Sequence, residues 1–305
     1  MGYKLGPTVA APSATEITFG DGTLWVVNEP GNSVTRIDPV TLTVTATITV
    51  AGAKTVVFAF GHCFVGSSGG FPTISKIDPA TNTVVGTVAG YGPILSLTFD
   101  ANYFIYTTIV LSSSFPPAYI VALDPTTLAF VSVGVGAGVG TAGTAGAASM
   151  WLADGTGIIQ RFDPTTAALQ ATITLPAGSY AKSLTYAFGS IWAGVFLNSS
   201  PFSSVERIDP ATNAIIPAAM DFGSGVSSFY FATQTSALWV TDLSGRIRRI
   251  DPNSNSFTDT LAMPFFQSPR GLGVDAAGSV WVSYLSVINR IDLVGGIFTD
   301  GAAHL

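Results

Sequence analysis

Apolar and polar positions along this chain fall into short runs with the spacing of strands. In Thr43-Val44-Thr45-Ala46-Thr47-Ile48-Thr49-Val50 every second side chain shares a face, the period of a strand with one wet side. Stretches such as Thr55-Val56-Val57-Phe58-Ala59-Phe60 are apolar almost throughout and read as strands covered on both faces. A third kind of run carries an aromatic: Leu24-Trp25-Val26, Cys63-Phe64-Val65, Met150-Trp151-Leu152, Ile191-Trp192-Ala193, Leu238-Trp239-Val240 and Val280-Trp281-Val282, with Phe104-Ile105-Tyr106 as a degenerate copy. A fourth ends in Asp-Pro, as in Val34-Thr35-Arg36-Ile37-Asp38-Pro39.

These runs recur in a fixed order. The Asp-Pro aspartates stand at Asp38, Asp78, Asp124, Asp163, Asp209 and Asp251, with a decayed copy at Asp292, spaced by 40, 46, 39, 46, 42 and 41 residues. A period in the low forties marks a propeller or a similar array. Each unit holds four short strands rich in Val, Ile, Thr and aromatics, and a lone four-stranded sheet cannot bury both faces. Stacking the sheets around an axis does so. The expectation is an all-β fold, one seven-bladed β-propeller of four-stranded antiparallel blades over residues 1–305. The blades fall at about 13–51, 53–89, 93–134, 138–175, 180–222, 225–262 and 268–304, with residues 1–12 available as a closing strand.

The Asp-Pro turn has a local cause. Proline fixes φ for a type I turn, and the Asp carboxylate can accept from amides two or three residues on. Ala-Thr-Asn at 80–82 and 211–213 offers a left-handed residue. Arg36, Lys76, Arg161, Arg207, Arg249 and Arg290 each precede the aspartate by two and share its strand face, so charge pairing within or between blades is expected. A feature present in every blade defines the blade, so the aspartates are read as turn clamps rather than a metal-binding ring.

Patterns such as Leu-Trp-Val, Ile-Asp-Pro-Ala-Thr-Asn-Thr-Val and the entry Pro269-Arg270-Gly271 resemble the YVTN/virginiamycin-B-lyase-like class of seven-bladed propellers over nearly the whole chain. A lyase of that group implies a His and Glu pair with a divalent metal, removing a proton α to a carbonyl. Here the histidines are His62 and His304, and the glutamates Glu16, Glu29 and Glu206. No pair maps at the family's spacing, so no catalytic residue is carried over, and the reading is a non-enzymatic protein with no cofactor and no metal. Gly138-Val139-Gly140-Thr141-Ala142-Gly143 matches a dinucleotide-binding spacing, but that site needs a following helix, and none fits.

Composition narrows the partners. Charged residues are 10% of the chain, well below the usual quarter, and the net charge is −6. Apart from Arg246-Ile247-Arg248-Arg249 no basic stretch exists, which argues against nucleic acid. No run is long enough to insert in a membrane, and the first residues show no apolar leader. Cys63 is expected as a small buried hydrophobe. Asn198-Ser199-Ser200 is a chance-level glycosylation sequon. The tiny residues of 133–146 would widen the axis or let another backbone approach.

One face of a propeller carries the loops between second and third strands and those between blades, here the long and variable ones. They present Phe71, Tyr91, Phe115, Tyr180, Phe202, Phe265 and Phe266 among Ser, Gly and Pro, a composition suited to a protein partner or a cell-surface glycan, unless the rings tuck back onto the blades. Glu16, Lys54, Lys182 and Arg270 are placed at the channel mouth, where a small anion could be held. The function expected is an interaction module on a cell or virion surface, with the cytoplasm left open. The alternative is a structural subunit assembling with itself or with virion neighbours.

Overall fold

The computed structural model describes residues 2–68, 72–89, 92–100, 105–110, 118–138, 140–197, 202–224, 229–234, 236–242, 245–262, 269–284 and 286–294. In chain order β1 is Gly2–Ala10. The first sheet holds β2 (Ala14–Gly20), β3 (Thr23–Asn28), β4 (Ser33–Asp38) and β5 (Thr43–Thr49), and the second β6 (Ala53–Ala59), β7 (His62–Ser67), β8 (Thr73–Asp78) and β9 (Thr83–Ala89). The third holds β10 (Ile94–Phe99), β11 (Ile105–Val110), β12 (Ala118–Leu123) and β13 (Phe130–Val135), and the fourth β14 (Ala142–Gly146), β15 (Ser149–Ala153), β16 (Ile158–Phe162) and β17 (Leu169–Thr174). The fifth holds β18 (Ser179–Ala187), β19 (Ser190–Leu197), β20 (Phe202–Asp209) and β21 (Ala214–Ser224), and the sixth β22 (Phe229–Gln234), β23 (Ala237–Asp242), β24 (Arg246–Asp251) and β25 (Ser256–Ala262). β26 (Gly271–Val274), β27 (Val280–Ser283) and β28 (Val287–Val294) complete the chain.

All pairings are antiparallel, and the sheets stand in a propeller arrangement. Six sheets are meanders continuous in sequence. The last is composite, ordered β1-β28-β27-β26. Counted as unbroken meanders the blades number six rather than seven, and this corrects the expectation of a last blade nearly complete in chain order. The fourth strand of that sheet comes from the other end of the chain. The rest of the expected span of that blade, from 295 to 304, lies outside the described residues. Inner strands neighbour one another in the order β2, β6, β10, β14, β18, β22, β26 and back to β2.

The core lies between sheets. One cluster joins Trp25, Val34 and Ile48 of the first sheet to Val56, Cys63 and Ile77 of the second. Another joins Trp151 and Ile173 to Ile191 and Ile208. The five tryptophans are fully buried, and each indole N–H finds an acceptor: Gly20, Gly146 and Ala187 carbonyls, Gln234 Oε1 and Asp275 Oδ2, at 2.8–3.1 Å. Close approach sets the small residues. A Cβ on Gly146 would fall 2.1 Å from the Tyr186 ring, and one on Gly136 2.5 Å from Leu152. The tiny residues of 133–146 therefore admit neighbouring side chains.

The Asp-Pro turns are clamps. Asp163 Oδ1 accepts from the Thr165 and Thr166 amides at 2.8 and 2.9 Å, and Asp38 and Asp124 repeat the arrangement. Four residues on, Leu42, Asn82, Leu128, Ala167, Asn213 and Asn255 are all left-handed, with φ between 50° and 60°. Hydrogen bonds from the Thr166 amide and the Thr165 hydroxyl and amide hold the Asp163 carboxyl down at about 2, and Asp38, Asp124, Asp209 and Asp251 are lowered in the same way. A carboxyl lowered on folding stabilises the fold above its unfolded value of about 3.9, and that stability is lost as pH falls through the folded value. The melting temperature is therefore expected to drop as pH falls from about 4 to about 2. Asp163→Asn should flatten part of that drop. An unchanged pH slope in the variant would remove Asp163 from the explanation.

The basic residues two positions before each aspartate behave differently from simple charge pairs. Arg36, Arg161 and Arg207 each donate from Nη1 at 2.6 Å to the turn proline carbonyl of the next sheet, Pro79, Pro210 and Pro252. The same nitrogen reaches Asn82, Asn213 and Asn255 Oδ1 at 2.7, 3.1 and 2.5 Å. Each guanidinium lies over its own sheet's tryptophan at 4.5–5.0 Å. Lys76 makes the shorter version, to Pro125 carbonyl at 2.9 Å. Ion pairing with the turn aspartate survives only at Arg290, whose Nε meets Asp292 at 2.7 Å, among the described residues.

Candidate functional site at the mouth of the axial channel

Three connected cavities run down the axis, of about 270, 280 and 460 Å3. The first is the mouth, lined by Thr15, Glu16, Glu29, Lys54, Leu95, Lys182, Tyr230 and Arg270. All four residues assigned to the mouth from sequence thus come together. Glu29 lies in the connection between β3 and β4, so the mouth opens on the face of the long loops.

The backbone aims these side chains by a repeated irregularity. In β6 the register steps from Ala53–Ser67 to Thr55–Gly66, leaving Lys54 as the extra residue of a bulge. Leu95 in β10 and Lys182 in β18 occupy the same kind of step. In β2 the step spans Ala14 to Ile17 and contains Glu16. A bulge bends its strand and redirects one side chain, so four sheets present Glu16, Lys54, Leu95 and Lys182 to the mouth from one structural position. Lys54 and Lys182 stand inside their inner strands, β6 and β18. Arg270 stands just ahead of β26, with its amide on the Ser283 carbonyl at 2.9 Å.

Electrostatics divide the mouth. Lys54 Nζ pairs with Glu29 Oε2 at 2.8 Å. Glu16 accepts from the Val56 amide at 3.0 Å. Removal from water pushes its carboxyl up to about 7, against the lowering by hydrogen bonds and by the Lys54 charge. The residue is only half-buried, so channel water works against part of that rise. Tyr230 is raised above its usual value, first by burial, and its hydroxyl stays a donor. Lys182 Nζ stands 5.5 Å from the Tyr180 ring centre and 5.2 Å from that of Phe196. Arg270 Nε is buried and has no hydrogen-bond partner among the described residues.

Below the mouth the channel wall is rich in hydroxyls: Ser96, Thr98, Thr141, Thr144, Ser183 and Thr185. At the far end the wall turns aromatic, with Phe19, Phe58, Phe99 and Tyr186.

The loop aromatics fare unevenly. Tyr180 is a strand residue of β18, stacked on Phe196 at 5.8 Å and 29°, so this ring is folded back onto its own sheet instead of being offered at a loop tip. Phe202 begins β20 and its side chain is outside the described residues, as are Phe71, Tyr91, Phe115, Phe265 and Phe266 entirely. Asn198 and His304 also lie outside them. His62 opens β7, its Nδ1 3.0 Å from the Phe60 carbonyl at the opposite end of the inner strand from Lys54. Glu206 is buried and accepts from the Ser204 hydroxyl at 3.0 Å. Among the described residues no three His, Cys, Asp or Glu side chains gather to hold a metal ion. Sequence reasoning missed Tyr230 and the placement of Glu29. The signal for Tyr230 was present, since it precedes Trp239 by the same nine residues that separate Glu16 from Trp25.

No protein-family model matches the chain, and no curated protein matches it. Solved structures do. The WD40 β-propeller domain of Doa1 superposes with a TM-score of 0.75 at 11% identity, covering 96% of this chain and 98% of that one. Hydrazine synthase from Kuenenia stuttgartiensis gives 0.77 at 12% identity, with 92% and 96% covered. The computationally designed Ika8 protein gives 0.67 at 12% identity, with 91% and 83% covered. At these identities the likeness defines the class, a β-propeller, and nothing finer.

Proposed function

We propose that the chain is a non-enzymatic interaction module, displayed on a cell or particle surface, that binds a protein or glycan through the long-loop face. The observation that carries the reading is the convergence of Glu16, Lys54, Lys182 and Arg270 with Tyr230 on one mouth at the centre of that face. A carboxylate, two ammoniums, a phenol and a guanidinium brought to one rim suit recognition, whereas a purely structural ring has no use for the variation. The cyclic contact of seven inner strands supports counting the composite sheet as a seventh blade. The YVTN-like repeats agree with that count. The separation of His62 from the mouth speaks against the lyase chemistry of that group.

A second reading, a subunit of a larger assembly, has its own support. The outer strands β5, β9, β13 and β17 contain no charge and no proline. They expose Val44, Val84, Val85, Val131, Val133 and Val135, and uncharged apolar edges invite edge-to-edge pairing. Light scattering over a hundredfold concentration range separates the two. A constant mass near 31.4 kDa is expected. Growth of the mass with concentration would transfer the function to assembly. For the loop face, Phe115→Ala, Phe202→Ala and Phe266→Ala together should abolish binding to a cell-surface glycan panel with little change in melting temperature. Undiminished binding would sink that face.

A further inference from the structure

The mouth holds more cationic chemistry than its own carboxylates use. Lys54 is taken by Glu29. Lys182 and Arg270 have no carboxylate at ion-pair distance among the described residues. Lys182 rests over two rings, which leaves its ammonium protons to the cavity. Arg270 is half-buried and lines the same mouth, so its guanidinium is held at the rim with no carboxylate beside it among the described residues. Tyr230 lies within electrostatic reach of both Glu16 and Arg270, so its hydroxyl belongs to the same group of donors. Directly beneath, hydroxyl side chains from β10, β14 and β18 line the next 280 Å3.

We propose that this mouth binds a sugar acid of the hexuronate class, its carboxylate held by Lys182, Arg270 and the Tyr230 hydroxyl and its ring hydroxyls directed among Ser96, Thr144 and Ser183. The proposal rests on the glycan branch of the interaction-module reading and names the chemistry of that site. The carboxylate takes a planar guanidinium and an ammonium, the donors best suited to it. The hydroxylated wall below offers both donors and acceptors, which a neutral apolar tail could not use. The two upper cavities, about 270 and 280 Å3, are of ligand-site size for a single sugar residue.

Glu16 tunes the charge. It faces Lys54 and the Val56 amide from β6, Glu29 from the β3–β4 connection, Leu95 from β10, Lys182 from β18, Tyr230 from β22 and Arg270 ahead of β26. When Glu16 is protonated the mouth carries a larger net positive charge, so an anion should bind more tightly below pH 7 than above it.

Calorimetry on the whole chain tests this with sodium glucuronate, glucose, acetate and inorganic phosphate as probes. Glucuronate is expected to bind with Kd of roughly 1 mM or tighter, and glucose and acetate at least about tenfold more weakly. Lys182→Gln and Arg270→Gln should each weaken glucuronate by about tenfold with the melting temperature held. Affinity should fall roughly threefold to tenfold between pH 6 and pH 8.5, and Glu16→Gln should remove most of that slope. The wild-type comparison needs no variant to fold. Equal binding of glucose and glucuronate, or of phosphate alone, overturns the proposal, as does no heat from glucuronate at millimolar concentration. The free sugar does not need the loop aromatics, so these failures are distinct from loss of partner binding in the triple phenylalanine variant.

Discussion

Removal of residues 2–10 is expected to unfold the chain's last sheet and to lower the stability of the whole ring by on the order of 5 kcal/mol, a large part of a domain's usual margin. β1 is the outer strand of the composite sheet, paired with β28 from Gly2–Val294 to Ala10–Val287. Its side chains serve two inter-sheet clusters. Val9 packs with Ile17, Leu24 and Trp281, where the last sheet meets the first. Tyr3 and Leu5 pack with Trp239, Ile247 and Ile291, where it meets the sixth, and the Tyr3 ring meets Trp239 edge-on at 4.8 Å. Asn289 donates to the Gly6 carbonyl at 3.2 Å and to the Thr8 hydroxyl at 2.5 Å, so loss of β1 would also orphan a buried amide. The measurement is urea unfolding of the 11–305 fragment against the full chain. A small separate loss, with the main transition unmoved, would mean that the ring is closed by β26 against β2 alone. That contact is close: a Cβ on Gly271 would fall 2.1 Å from the Thr15 carbonyl oxygen, and the Ser283 hydroxyl donates to the same oxygen.

What the sequence made legible was whatever each unit had to repeat. Asp38 and its counterparts recur because the third-to-fourth strand turn of each meander needs an acceptor for its amides, and Trp25 and its counterparts because the sheet interfaces need a large ring, an indole in five sheets with its N–H satisfied and Phe64 in the second. Glu16, Lys54, Lys182 and Arg270 were legible because each stands nine to eleven residues ahead of its unit's aromatic landmark, Trp25, Phe64, Trp192 and Trp281. The bulges that aim three inner-strand positions, Lys54, Leu95 and Lys182, into the mouth were hidden, because a bulge changes pairing rather than composition. The loop aromatics were the least legible. Tyr180 was read as a loop residue, yet β18 extends through it, and stacking on Phe196 supplies the reason. The composite sheet was legible only as an option, since strand pairing between residues nearly three hundred positions apart leaves no local mark.

The arginine latches give the second large effect, and they can be read against each other. Arg207→Ala is expected to cost about 2–3 kcal/mol, because it removes charge-assisted bonds to Pro252 and Asn255 and the stacking over Trp192 in one step. Arg249→Ala, at the same position one sheet on, should cost less than about 1 kcal/mol. The next turn has lost its proline to Leu293, and Arg249 instead donates to the Thr258 hydroxyl at 3.0 Å, with its Nε unpaired. The chain itself has run part of this experiment. Asn occupies the left-handed turn position at 82, 213 and 255, where an arginine of the preceding sheet reaches it, and Ala167 occupies it where the preceding sheet has Ala122. There Ser132 donates to the Pro164 carbonyl at 2.8 Å in place of the guanidinium. Arg207→Lys should therefore fall between wild type and Arg207→Ala, keeping the carbonyl contact that Lys76 makes and losing the asparagine. Asn255→Ala should cost markedly less in the Arg207→Ala background than in wild type. Equal costs in both backgrounds, measured by urea midpoints at unchanged slope, would show that the arginine stabilises its own sheet over Trp192 and does not tie one sheet to the next.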